Sequence, residues 1–141
     1  MAVLDKDSIA AAYEDVRNDH SDTMWSTFAY EGKELVHDAS GSDFETFRTK
    51  FTPEDRGFAY LRVITGDEMS KRVKFVLISW CGSEVGGLKR AKLGTDKATL
   101  KQVVKNFAIE MLLSEPSELD YESIATEARK AGGANYGTGQ R

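Results

Sequence analysis

Cysteine occurs once in this 141-residue sequence, at Cys81, and proline and histidine only twice each. A lone cysteine rules out an intramolecular disulfide and fits a reducing compartment. His20 and His37 have no second histidine or cysteine close by, so neither reads as part of a metal site, and no cofactor is expected. No apolar run approaches the roughly 20 residues a membrane helix needs. The opening Met1-Ala2-Val3-Leu4-Asp5-Lys6-Asp7 lacks the basic region and apolar core of a signal peptide, so the expected location is the cytoplasm. Catalytic signatures are missing as well. There is no nucleophile elbow, no Cys-x-x-Cys, no His-Glu-x-x-His and no phosphate loop. The glycines from Gly132 to Gly139 follow a helix instead of a strand, which excludes a dinucleotide turn. A non-enzymatic role is the expectation.

What is present is an ordinary soluble composition, 40% hydrophobic and 30% charged, in a length suited to one domain over residues 1–133. Net charge is −4, but it is unevenly spread. Nine of the 19 cations and two of the 23 acids fall between Lys71 and Lys105, a local balance of +7, which leaves −11 for the rest. An acidic chain with a basic middle is suited to offering one patch to an acidic partner.

The periodicities alternate between helix and strand. Ile9, Ala12, Tyr13 and Val16 fall at i, i+3, i+4 and i+7, predicting a helix from about Asp7 to Asn18 capped by Asp5 or Asp7. Met24 to Tyr30 and Lys33 to His37 read as a hairpin about Glu31-Gly32. Ser42 and Glu45 have capping-box spacing for a short helix that Pro53 stops, with Phe44, Phe47 and Phe51 toward the core. Phe58 to Ile64 and Lys71 to Gly82 form the central hairpin. From Phe75 to Trp80 both alternating sides are apolar, so this strand is expected to be covered on both faces.

Gly86, Gly87 and Gly94 argue against one continuous helix and for a loop with at most one helical turn. A helix starting at Thr95 or Asp96 would bury Leu100, Val103, Val104 and Phe107 and stack Lys97, Lys101 and Lys105 on another face. Phe107 to Leu113 then alternates as a strand expected to run parallel to the central one. A last helix is predicted with Ser117 as N-cap, a stripe of Tyr121, Ile124, Ala125 and Ala128, Arg129 and Lys130 in its final turn, and Gly132-Gly133 as its stop. Residues 134–141 read as a flexible tail. The fold class is α/β (α+β), a mixed sheet of about five strands with helices on both faces.

The candidate binding residues are the cations of the basic middle and of the last helix: Lys71, Arg72, Lys74, Lys97, Lys101, Lys105, Arg129 and Lys130. At the mouth of the central strand, Val73 and Phe75 share one face, leaving Arg72 and Lys74 together on the other. Nucleic acid is disfavoured by the acidic remainder and the sequence pI near 5.2. An acidic protein and anionic phospholipid both stay open.

Beyond these patterns, Phe75-Val76-Leu77-Ile78-Ser79-Trp80-Cys81-Gly82, Gly87-Leu88-Lys89-Arg90-Ala91-Lys92, Gly94-Thr95-Asp96-Lys97 and Lys130-Ala131-Gly132-Gly133-Ala134-Asn135-Tyr136 resemble the coactosin family. The likeness extends over essentially the whole chain. It implies the actin-depolymerising-factor homology fold, a mixed five-stranded sheet between helices. It also implies a monomer that binds the sides of actin filaments, binds actin monomers weakly or not at all, and interferes with filament capping without severing. In that family the actin-binding cations lie in the segment matching Lys71, Arg72 and Lys74. The glycines at 86, 87 and 94, and Ala-Val-Leu at residues 2–4 where severing relatives carry a serine, set this chain apart from the severing members. Actin is acidic, so the basic patch and the resemblance point the same way.

Overall fold

The computed structural model describes residues 2–66 and 69–135. Its six strands are β1 (Val3–Leu4), β2 (Trp25–Glu31), β3 (Glu34–Gly41), β4 (Arg56–Gly66), β5 (Lys71–Cys81) and β6 (Ile109–Leu113). They form one sheet in the order β1-β3-β2-β4-β5-β6. The pairs β2/β3, β2/β4 and β4/β5 are antiparallel, whereas β1/β3 and β5/β6 are parallel. The sixth strand beyond the expected five is β1, whose two residues are too few to show any alternation.

Alternation divides the sheet's side chains between two cores. Phe58 and Tyr60 of β4 and Leu77 of β5 join Tyr13, Val16, Leu93 and Leu100 on one face. Ala59, Leu61 and Val63, with Val76, Ile78 and Trp80, join Phe47, Ile124 and Ala128 on the other. The first face is covered by helices α1 (Lys6–Arg17) and α3 (Gly87–Leu100), the second by α2 (Phe44–Arg48) and α4 (Tyr121–Asn135). The expectation that β5 is covered on both sides holds.

Helix α1 begins after Asp5, whose side chain accepts from Ser8 N, and buries the four stripe residues. Its C-terminal carbonyls are closed by a residue from the sheet. Arg62, buried in β4, donates from Nε to Val16 O and from Nη2 to Arg17 O, each at 3.0 Å, and pairs with Asp19 at 2.9 Å. A buried cation is tolerated there because it faces the negative end of the helix dipole and three oxygens.

Several sequence expectations are corrected. Asp43, not Ser42, caps α2, accepting from Thr46 N at 2.9 Å; the Thr46 hydroxyl and amide hold its carboxyl below the usual range. That helix ends at Arg48, ahead of Pro53. Helix α3 runs unbroken from Gly87 to Leu100. Gly86 is its N-cap and Gly87 its first residue, where glycine costs little, which leaves Gly94 alone in the interior at about 1 kcal/mol. Burial of Leu93 and Leu100 offsets that. The argument that glycines break this region, and with it one ground for separating the chain from severing relatives, therefore falls. Lys101 is the C-cap, so Val103, Val104 and Phe107 reach the core from turns beyond the helix.

Ser117 lies in a 3-10 turn, Pro116–Glu118, and Asp120 caps α4 instead, accepting from Ser123 N at 2.9 Å. Helix α4 continues through Gly132 and Gly133 to Asn135, so Arg129 and Lys130 sit in its body and not in a final turn. The tail reading falls mostly on residues 136–141, which lie outside the described residues.

Tyr60 ties the first core together. Its hydroxyl donates to Asn106 O, Tyr13 OH accepts from Asn106 N at 3.0 Å, and its ring stacks on Phe75 at 5.4 Å. Burial, then the neighbouring Tyr13, push the Tyr60 hydroxyl well above the ordinary phenol range. A raised folded pKa means stability is full below the unfolded value near pH 10 and is lost above it. Stability should therefore fall steeply above about pH 10, by up to about 1.4 kcal/mol per pH unit from this group. Tyr60→Phe should start less stable but flatten that alkaline decline, as calorimetry across pH would show; an unchanged slope would remove Tyr60 as its source.

Candidate functional site

Beyond the residues that β6 covers, β4 and β5 continue as a two-stranded arm. Strand β5 is flanked on both sides from Val76 to Trp80; at Lys71, Arg72 and Lys74 it pairs only with Gly66, Thr65 and Val63 of β4. At these cations the backbone is therefore held by pairing on one side only. The arm turns after Gly66, at φ 102°, where a Cβ would lie 1.9 Å from Ser70 O, so only glycine fits. Lys71 and Arg72 are exposed and Lys74 is half-buried. Among the described residues none of the three makes an ion pair. Ile64 and Val73, opposite each other in the ladder, are exposed on the arm's other face. Tyr121 at the start of α4 accepts from Ile64 N at 2.9 Å, tying the arm to the helix layer.

By the period of two, Arg72 and Lys74 share the face of Val76, which α4 covers. Arg129 and Lys130 are exposed on that same helix. Lys130 lies 3.6 Å from Glu127, one turn away, an exposed pair that costs little to break.

Of the other predicted cations, two are brought together by a single carboxylate. Lys97 Nζ reaches Glu110 Oε1 at 2.8 Å, and Lys101 reaches the other oxygen of the same carboxylate. Burial alone would raise the Glu110 carboxyl, but Lys101 and Lys97 hold it below its ordinary range. Lys105 lies past the end of α3 and shares no stripe with them. The strand register puts Glu110 opposite Leu77 and so beside the helix, which no spacing in the sequence announces.

Sequence reasoning also missed a buried carboxylate. Asp96, in the middle of α3 and 1% exposed, accepts from Tyr30 OH at 2.6 Å and from Ala2 N at 2.8 Å. The Arg56 guanidinium lies 3.6 Å over the Tyr30 ring, with Nη1 3.9 Å from Asp96. Burial, then the hydrogen bond to Asp96, raise the Tyr30 hydroxyl above the phenol range. The signal was available: Leu93, Asp96 and Leu100 fall at i, i+3 and i+7. A cavity of about 530 Å³ opens beside Arg56. Asp38, Glu54 and Asp55 line it with Lys50, Arg56 and Lys89, so neither sign of charge prevails. Among the described residues no three His, Cys, Asp or Glu side chains gather to hold a metal ion.

Residues 2–129 match the family described as cofilin/tropomyosin-type actin-binding protein. The rat coactosin-like protein is 49% identical over 133 residues, covering 94% of both chains. The chain belongs to the coactosin family. A crystal structure of human coactosin-like protein superposes with a TM-score of 0.89 at 45% identity, covering 92% of this chain and 99% of that one. Mouse coactosin, whose solution structure is that of an actin filament binding protein, matches over 99% of both chains at 46% identity and a TM-score of 0.79. The mixed sheet between helix layers is the fold of this family, with β1 as its added short edge strand.

Proposed function

We propose that this coactosin-family chain binds the sides of actin filaments through the β4–β5 arm, with Lys71, Arg72 and Lys74 as the principal contacts and Arg129 and Lys130 on α4 assisting. The observation that carries the reading is three cations, without ion-pair partners among the described residues, on an arm tied to α4 through Ile64 and Tyr121. Such charges meet an acidic filament without first breaking a bond of their own. Lys97 and Lys101 already neutralise Glu110 and contribute less. The filament, as opposed to the monomer, is supported by the likeness to mouse coactosin over the whole chain.

The rest of the proposal is finer. The protein acts as a monomer in the cytoplasm, associated with the cytoskeleton, and interferes with filament capping without severing and without enzymatic chemistry. Anionic phospholipid would compete for the same cations, and nucleic acid is no partner.

Co-sedimentation tests it. The protein should pellet with filaments, bind monomeric actin poorly, and leave the pellet as ionic strength rises past about 0.15 M, where exposed charges are screened within about 8 Å. Pelleting that ignores salt would refute the charge-led contact, and tight sequestration of monomers would refute the filament assignment. Lys33→Glu, remote in sequence from the basic middle, should pellet like the parent protein.

A further inference from the structure

Strand β6 ends the sheet and pairs only with β5 among the described residues. Leu77 and Ser79 of β5 turn their backbone toward β6 and stand opposite Glu110 and Leu112, so in this parallel ladder they bond the flanking residues Ile109, Met111 and Leu113. The N–H and C=O groups of Glu110 and Leu112 therefore face the open side, as does Ser114 N, which donates to Glu118. A row of unpaired donors and acceptors is a template for another strand.

Alongside that edge, between β6 and α4, runs an open groove of about 540 Å³. Its floor is Met111 and Leu113, and its charged lining is Glu118, Glu122 and Glu127, with no lysine or arginine among the lining residues. Glu118 Oε1 accepts from the amides of Ser114 and Glu115, and Glu127 lies 3.6 Å from Lys130, outside the groove. Glu122 has no ion pair among the described residues. On the opposite face of the same edge Leu112 is 65% exposed. An added strand would thus find carboxylates over one row of its side chains and an apolar neighbour beside the other.

We propose that the β6 edge and the α4 groove form a second docking surface, which takes an extended segment of a partner protein with alternating basic and apolar residues. The segment lies along β6 as a seventh strand. Its main chain pairs with Glu110 and Leu112, its lysines or arginines reach Glu122 and Glu127, and its apolar residues cover the Leu112 side chain. This surface is distinct from the cationic arm and has the opposite charge, so the two could be occupied together.

A short synthetic peptide of alternating lysine and valine is the probe, titrated against the full chain by fluorescence anisotropy with hydrogen exchange read residue by residue. The proposal expects binding that weakens with salt and slowed exchange at the amides of Glu110 and Leu112. Glu122→Lys with Glu127→Lys should weaken binding at least about tenfold, as removing rim and groove charges does elsewhere. Leu112→Pro, tolerated on an edge strand where the N–H faces outward, should weaken it similarly by removing one edge donor. Unchanged exchange at the two amides under saturating peptide would overturn the proposal, as would equal affinity in the charge-reversed variant. A concentration-dependent doubling of mass without peptide, with the same amides protected, would assign the edge to a second copy and overturn it too.

Discussion

Charge reversal at Lys74 should abolish co-sedimentation with actin filaments while moving the thermal midpoint by no more than about 2 °C. The two effects separate because of where the residue stands. Lys74 is half-buried opposite Val63, so its stem is held by the ladder while its ammonium has no carboxylate partner among the described residues. Glutamate there breaks no ion pair and opens no cavity. At the interface it replaces an attraction with a repulsion whose geometry is already fixed, a change of about 3 kcal/mol or more, roughly a hundredfold in Kd. Lys101→Glu should behave the other way. It would set a second carboxylate against Glu110, lowering the midpoint while weakening filament binding less. A folded Lys74→Glu protein that pelleted like the parent would move the contact to Lys89, Arg90, Lys92 and Lys105.

Asp96→Ala should lower stability by about 3–5 kcal/mol and the midpoint by roughly 10–20 °C. One carboxylate serves three groups from separate parts of the chain: the Tyr30 hydroxyl, the Ala2 amide and the Arg56 guanidinium. Alanine leaves all three, each partly buried, without that acceptor. Arg56 suffers most, because its Nη1 already has no hydrogen-bond partner and depends on Asp96 for countercharge. Asp96→Asn keeps an oxygen for one donor but not the charge, and should fall between. Calorimetry at pH 7 measures both; a drop under a few degrees for Asp96→Ala would show that water replaces the carboxylate.

The parts of this fold legible in the sequence are those written as repetition. Phe75 to Trp80 announced a strand covered on both faces, and the stripe from Ile9 to Val16 announced a helix, because burial selects residues at the period of the backbone. What went unread depended on energies small beside packing, or on partners distant in sequence. Gly94 weighs about 1 kcal/mol against a helix whose Leu93 and Leu100 are buried, so the glycine rule lost. The same imbalance carried α4 through Gly132 and Gly133. For the site, the sequence named cations that stand without ion pairs on the arm among the described residues, and others on α3 that do not. Lys97 and Lys101 looked free until the parallel register of β6 delivered Glu110 to them.

The hydrogen bonds that close this structure also constrain when it can form. Ala2 waits for Asp96, and Tyr13 waits for Asn106, partners 94 and 93 residues downstream. At a synthesis rate of roughly 5–20 residues per second, those first residues spend on the order of 5–20 s without their final partners. During that interval α1 exposes the apolar stripe from Ile9 to Val16, with only part of the sheet available to cover it. The ribosome therefore releases a chain whose start and middle dock late and together, a moment at which a chaperone would find its binding surface.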